Sequence, residues 1–233
     1  MKSGGGLLSG VVAALAFALV ACGGGGGSDI DTSKVDVEQL LTDAADRMDD
    51  VQSFSFDLEH ENGTATIVRG LEMTHAEGNV EGPDRMHLKV SVKAGALNAE
   101  IVVIVLPDEG WITDPFTGRW ERERIDVASF FDPADGVIGL MRSIEGGEIT
   151  GTETLDGVET YRVEAEVPSE QLTLFGNPRE GETIRVVAWI GIDDPLVHRV
   201  EAVGGIVPEE PDDLLRRLTF REFDETFDIQ APR

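Results

Sequence analysis

Three apolar patterns follow one another along the chain, and each predicts a different kind of element. Leu7 to Val20 is a near-continuous apolar run. Val37, Leu40, Leu41, Ala44, Ala45, Met48 and Val51 then recur at helical spacing, with Asp, Glu and Arg47 on the opposite face. That pattern predicts an amphipathic helix. Asp36 stands at its N-cap position, and Gln39 three residues on gives the pattern of a capping box. From Phe54 the period becomes two: Phe54, Phe56 and Leu58 alternate with Ser55, Asp57 and Glu59, as in a half-buried strand. Asn62-Gly63 predicts a hairpin turn into a strand from about Thr64, and a further strand runs from about Leu71 to Glu81. After the turn Gly82-Pro83-Asp84, Met86, Leu88, Val90 and Val92 alternate with His87, Lys89 and Ser91. Gly95 breaks the chain. Ile101 to Leu106 is apolar without alternation, which predicts a strand covered on both faces.

The second half repeats the order of helix, then strands. Asp126 caps a short turn carrying Phe130 and Phe131. Asp132-Pro133 has the form of an N-cap followed by proline at the first helical position. Val137, Ile138, Leu140, Met141 and Ile144 continue that helix, Gly136 and Gly139 weaken it, and Gly146-Gly147 stops it. Strands are then predicted at Ile149 to Thr154 and Glu159 to Val167 around Asp156-Gly157, and at Ile184 to Ile192 and Leu196 to Val203 around Asp193-Asp194-Pro195. A last strand is read from Leu218 to Ile229. Tight turns between neighbours mean an antiparallel sheet. The fold class is therefore α+β, a long antiparallel sheet with a few helices covering one face.

The amino terminus changes the picture. Lys2, the apolar run and the closing Leu19-Val20-Ala21-Cys22 have the order of an export signal, and the run is short for a membrane span. The closing tetrapeptide resembles a bacterial lipobox. That likeness implies a signal peptide over residues 1–21 and a diacylglyceryl group on Cys22. It also implies an exported protein anchored by lipid to the outer face of the cell membrane. Cys22 is the sole cysteine, so the fold rests on no internal disulfide. Residues 22–35, with glycines 23 to 27, form a flexible tether, and residues 36–233 form one domain.

Charge and missing motifs narrow the function. Nineteen Lys and Arg against 45 Asp and Glu give a formal charge of −26. Such a surface repels nucleic acid and anionic headgroups, so membrane attachment falls to the acyl anchor. His60, His75, His87 and His198 have no metal-ligand spacing, and no nucleophile elbow, P-loop or dinucleotide fingerprint occurs. No enzyme, metal or cofactor is indicated.

Several stretches, taken together, resemble the actinobacterial lipoprotein family typified by LppX and LprG. They include Val51-Gln52-Ser53-Phe54, Ala76-Glu77-Gly78-Asn79-Val80 with Pro83-Asp84-Arg85, and Trp111 to Pro115 with Gly118-Arg119-Trp120. Asp132-Pro133-Ala134, Glu153 to Tyr161, Val187-Ala188-Trp189-Ile190 and Phe223-Asp224 to Ile229 complete the series. The resemblance implies a strongly bent antiparallel half-barrel with helices in its concave face, similar to the carriers of the Lol system. It implies an apolar cavity that holds acyl chains of a lipid or glycolipid, palmitate among them, and a monomer that carries this ligand within the envelope, with an envelope transporter as a possible partner. Lining candidates, taken from the helix faces and the sheet parity, are Leu41, Met48, Phe54, Phe56, Met86, Leu88, Val90, Phe131, Ile138, Leu140, Met141 and Trp189. Each could equally be plain core, and Trp189 could equally anchor the sheet. Two other functions stay open: an envelope scaffold with a filled core, and a surface hydrolase.

Overall fold

The computed structural model describes residues 32–67, 71–125, 142, 144, 146–172 and 178–233. Helix α1 spans Val37–Asp49. The Asp36 carboxylate accepts the Gln39 backbone N–H at 3.2 Å, as an N-cap does. The Gln39 side chain turns forward to Asp43 instead (2.7 Å), so only half of the expected capping box forms. Leu40, Leu41, Ala44, Ala45 and Met48 form its buried stripe.

Twelve strands make one antiparallel sheet. They are β1 (Ser53–Glu61), β2 (Ala65–Thr66), β3 (Glu72–Glu81), β4 (Arg85–Ala94), β5 (Leu97–Leu106), β6 (Glu109–Thr113), β7 (Trp120–Arg122), β8 (Glu148–Leu155), β9 (Val158–Pro168), β10 (Thr183–Gly191), β11 (Val197–Val203) and β12 (Leu215–Arg221). The order is β7-β6-β5-β4-β3-β1-β12-β11-β10-β9-β8, with β2 beside β3. The chain thus winds outward from β1, starts again at the far edge and winds back until β12 lies against β1. No pairing joins the edges β7 and β8 among the described residues, so the sheet stays open. Inner-face side chains from both halves meet α1 in one contiguous cluster, from Val92 and Ile101 to Val163 and Ile190. The sheet bends around the helix, as the half-barrel class requires.

Two local expectations change. Asn62 takes the left-handed conformation expected of a turn (φ 64°). The turn does not close a β1–β2 hairpin, however, because β2 pairs with β3. The carboxy-terminal loop occupies that side: the Asn62 amide donates to the Asp213 carbonyl (3.2 Å), and a Cβ on Gly63 would stand 2.9 Å from Pro211. The last strand ends at Arg221, short of Ile229. There the backbone turns with Glu222 and Asp224 at positive φ, and Asp224 binds the start of β1, its carboxylate accepting from Gln52 N–H at 2.9 Å. The tail then crosses the outer face, where Phe227 and Ile229 cover Ile104 and Trp111. This cover explains the unbroken apolar run of β5, whose Ile101, Val103 and Val105 face inward.

The expected helix from Asp132 lies outside the described residues except at Arg142 and Ile144. Arg142 is helical and ion-pairs with Asp46 of α1 (2.8 Å), and Ile144 packs on the inner-face cluster.

Candidate functional site

The inner face is laid out by register. Phe54, Phe56 and Leu58 of β1 alternate inward, opposite Val80, Gly78 and Ala76 on β3 and opposite Phe220 and Leu218 for the last two on β12. Gly78 in turn faces Leu88, and Leu218 faces Val200. A Cβ on Gly78 would lie 3.1 Å from the Phe56 ring, so the glycine gives that ring room to lie on the sheet. Burial is uneven along this floor. Phe54, Met86, Val90, Val92 and Phe220 are buried, whereas Phe56, Leu58, Leu88, Val200 and Leu218 are only half-buried. These five occupy the middle of the eleven-strand path, where a filled core would be driest. They form a half-buried apolar strip, the trough, with the buried stripe of α1 against the same cluster.

Polar groups mark one end of the trough. His60 continues the inward parity of β1 and lies opposite Arg216. Arg216 is buried in an ion pair with Glu210 and donates to the Gly204 carbonyl (3.2 Å). Glu210 also accepts from the N–H groups of Ile206 (2.8 Å) and Val207 (3.1 Å). A buried pair of this kind fixes a loop more than it stabilises the fold. Burial, and then the Arg216 charge, hold the His60 imidazole below its ordinary range.

Among the expected lining residues, Leu41, Met48, Phe54, Met86 and Val90 are buried in one cluster, and Phe56 and Leu88 pack half-buried against it. Phe131, Ile138, Leu140 and Met141 lie outside the described residues, as does Cys22. Trp189 leaves the set. It points to the outer face with Val187 and Leu155, away from its inward neighbours Ala188 and Ile190. Its indole donates to Glu153 (2.7 Å), with the guanidinium carbons of Arg162 and Arg199 5.7 and 5.4 Å from the ring. This is the anchoring role. Leu58, Val200 and Leu218 share this face and were not among the lining candidates; the β1 alternation already turned Leu58 inward, and the β1–β12 and β11–β12 registers bring the other two beside it.

The outer face carries a polar depression of about 390 Å³ lined by Ser55, Asp57, Glu77, Asn79, His87, Lys89 and Arg221. Beside it the ligand atoms of Asp57, His75 and Glu77 fall within 4.8 Å of one another. Strand register makes this group, which sequence spacing could not show. Its members already have partners: His75 Nε2 meets Asp57 at 2.8 Å and Lys89 meets Glu77 at 3.2 Å. Burial first, and the Lys89 charge second, lower the His87 pKa. No histidine nitrogen is hydrogen-bonded to a Ser, Thr or Cys side chain among the described residues.

Comparison with known proteins follows this geometry. The model of the LppX_LprAFG lipoproteins matches residues 36–226. The crystal structure of LprF from Mycobacterium bovis superposes with TM-score 0.64 at 13% identity, over 84% of this chain and 96% of that one. That of the lipoprotein LppX from Mycobacterium tuberculosis gives 0.61 at 14% identity, over 83% and 98%. At these identities the likeness is one of fold. A LolA superfamily protein from Nitrosomonas europaea matches over 81% and 93% at 12% identity, with a TM-score of 0.29 that carries no fold argument. No curated protein matches.

Proposed function

The chain belongs to the LppX_LprAFG lipoprotein family, and from that premise we propose that it is a non-catalytic carrier of acyl chains. In this reading residues 1–21 direct export, Cys22 bears the diacylglyceryl anchor, residues 22–35 are the tether, and residues 36–233 carry a lipid or glycolipid along the outer face of the cell membrane. The half-buried trough carries the reading: Phe56, Leu58, Leu88, Val200 and Leu218 keep apolar surface accessible at the centre of the sheet. Exposed apolar surface of this kind marks a binding groove. An acyl chain of about sixteen carbons crossing water meets a cost on the order of 10 kcal/mol, at ~0.8 per CH₂. Sheltering it along such a floor removes most of that cost and needs no bond chemistry.

Two measurements test the reading. Mass spectrometry of an organic extract from the Cys22→Ser protein should find lipid at near one molecule per chain; a dry protein would favour an envelope scaffold. The same substitution should abolish acylation and leave the precursor uncleaved, and globomycin-sensitive maturation of the variant would contradict the anchor.

A further inference from the structure

The antiparallel register gives the sheet two ends that differ in chemistry. At one end lie the turns 82–84, 107–108, 156–157, 192–196 and 222–224. These carry Asp84, Asp108, Asp156, Asp193, Asp194, Glu222 and Asp224. At the other end lie the β4–β5 and β6–β7 turns, residues 169–172 and 178–182, and the loop 204–214. The β4–β5 turn presents Leu97, which is 62% exposed, and the β6–β7 turn presents Phe116, which is 65% exposed. No other large apolar side chain among the described residues is as exposed as these two. Trp120, 37% exposed, follows Phe116 at the start of β7. Lys93 and Arg119 flank the two tips and enter no ion pair among the described residues. Asp114 lies in the second turn, but its carboxylate is turned inward, accepting from the N–H groups of Phe116 (3.1 Å) and Thr117 (2.7 Å). In a chain of charge −26, these tips stand out as apolar and basic.

The amino terminus enters at this same end. Val37, the first residue of α1, lies against Gly147, just before β8 begins there; a Cβ on Gly147 would be 3.3 Å from its Cγ1. The helix then runs to the acidic end, where Arg47 meets Asp194 (3.0 Å). As the tether proposed above, the ten residues from Cys22 to Asp31 would span roughly 17 Å as a flexible chain, ahead of the ordered turn Thr32–Lys34. Under the anchoring proposed above, on which this inference rests, the tip-bearing end is the one held near the bilayer.

We propose that the hairpin tips bearing Leu97 and Phe116 insert into the interfacial layer of the membrane that holds the Cys22 anchor. The partner is a lipid surface. Exposed apolar and aromatic side chains with neighbouring basic residues suit the headgroup boundary, while the acidic turns of the opposite end are repelled by anionic lipid. Residues 178–182 and 204–214 carry Glu180, Glu182, Glu209 and Asp213, so the proposed contact is placed on the hairpins of the amino-terminal half. The domain then stands with one end of its trough on the bilayer from which a lipid would be drawn.

The test uses the acylated protein in phosphatidylcholine–phosphatidylglycerol vesicles, with the environment-sensitive dye NBD at Leu97→Cys, Phe116→Cys or Val158→Cys. Val158 is the internal control, exposed at 38% on the acidic end. Blue-shifted emission and quenching by brominated lipid are expected at 97 and 116 and not at 158. Water-like emission at either tip, or equal quenching at 158, overturns the proposal. Failure of the anchor is read separately: unsubstituted protein would then take up dye at a free Cys22 thiol and wash off the vesicles.

Discussion

The two faces of this sheet are built from alternate residues of the same strands, yet they solve opposite problems. On the outer face, neighbouring strands supply each other's partners. Arg217 of β12 reaches Glu201 on β11 (2.7 Å) and Glu61 and Glu59 on β1 (2.8 and 3.5 Å), and Glu164 of β9 binds Arg162 on its own strand (3.2 Å) and Arg185 on β10 (2.6 Å). Around these pairs the face needs no added layer; only over β5 and β6 does the carboxy-terminal tail cover it. The inner face has apolar side chains at the corresponding positions, and they have nothing to bind except what lies over them. Phe54, Met86, Val90, Val92 and Phe220 are buried in one cluster with α1; Phe56, Leu58, Leu218 and Val200 are only half-buried. The contrast teaches that outward charge is here a structural layer, whereas inward apolarity is a demand that a ligand can meet.

The largest expected break is on the outer face. Trp189 is buried at 4% between two guanidinium groups and the Glu153 carboxylate. Trp189→Ala should lower unfolding free energy by about 3–5 kcal/mol, the usual cost of truncating a buried Trp. Lipid bound per folded molecule should stay unchanged. A loss of lipid without a loss of stability would return Trp189 to the trough.

The inner face gives the converse pattern. Leu58 sits mid-trough between Ala76 and Leu218. If a ligand fills the space above it, Leu58→Trp takes the ligand's place, so bound lipid falls while the denaturant midpoint scarcely moves. If the space is filled core, overpacking costs about 1–3 kcal/mol and no lipid is lost. Midpoint and extracted lipid, measured together, separate the two.

Why one face was readable in the sequence and the other only partly follows from this contrast. Period-two alternation placed Phe54, Phe56, Leu88 and Val90 inward correctly, because a strand with one wet face records its parity in its own residues. Trp189 failed because β10 is apolar on both faces from Val186 to Ile190, and parity is silent there. Val200 and Leu218 join Leu58 only through the β1–β12 and β11–β12 pairings, contacts between residues far apart in the chain. The overlong last strand failed because an Asp224 side chain, binding Gln52, ends it. Such a cap has no periodicity to betray it.

Acid should erode the places where burial holds a histidine neutral, His60 on the inner face and His87 on the outer. His60 is held below 6.5 mainly by burial, then by Arg216, with Glu210 and His75 also in range. His87 and His198 are lowered by burial too. The unfolded chain therefore binds protons first as pH drops, and stability is full above about 6.5 and lost from there down through the folded pKa values. Denaturant midpoints taken between pH 7.5 and 5 should decline, and His60→Leu should flatten part of that decline. An unaltered slope would show that His60 is not charge-excluded.

The smallest effect probes the outer face by salt. Arg217 is a quarter exposed, and its pKa is raised chiefly by the hydrogen bond to Glu201, with Glu61 adding to it. Exposed pairs contribute about 0.2–1 kcal/mol, and a shared cation among several carboxylates belongs near the upper end. Arg217→Gln removes that attraction and leaves Glu59, Glu61 and Glu201 facing one another across three adjacent strands. Part of the loss is therefore repulsion among like charges, which acts over several ångströms through water. At 1 M salt the screening length contracts to about 3 Å, so the gap between variant and parent should shrink. Leu58→Trp, whose effect is packing, should show no such dependence. Equal salt sensitivity of the two substitutions would break the distinction between a face held by charge and a face held by cover.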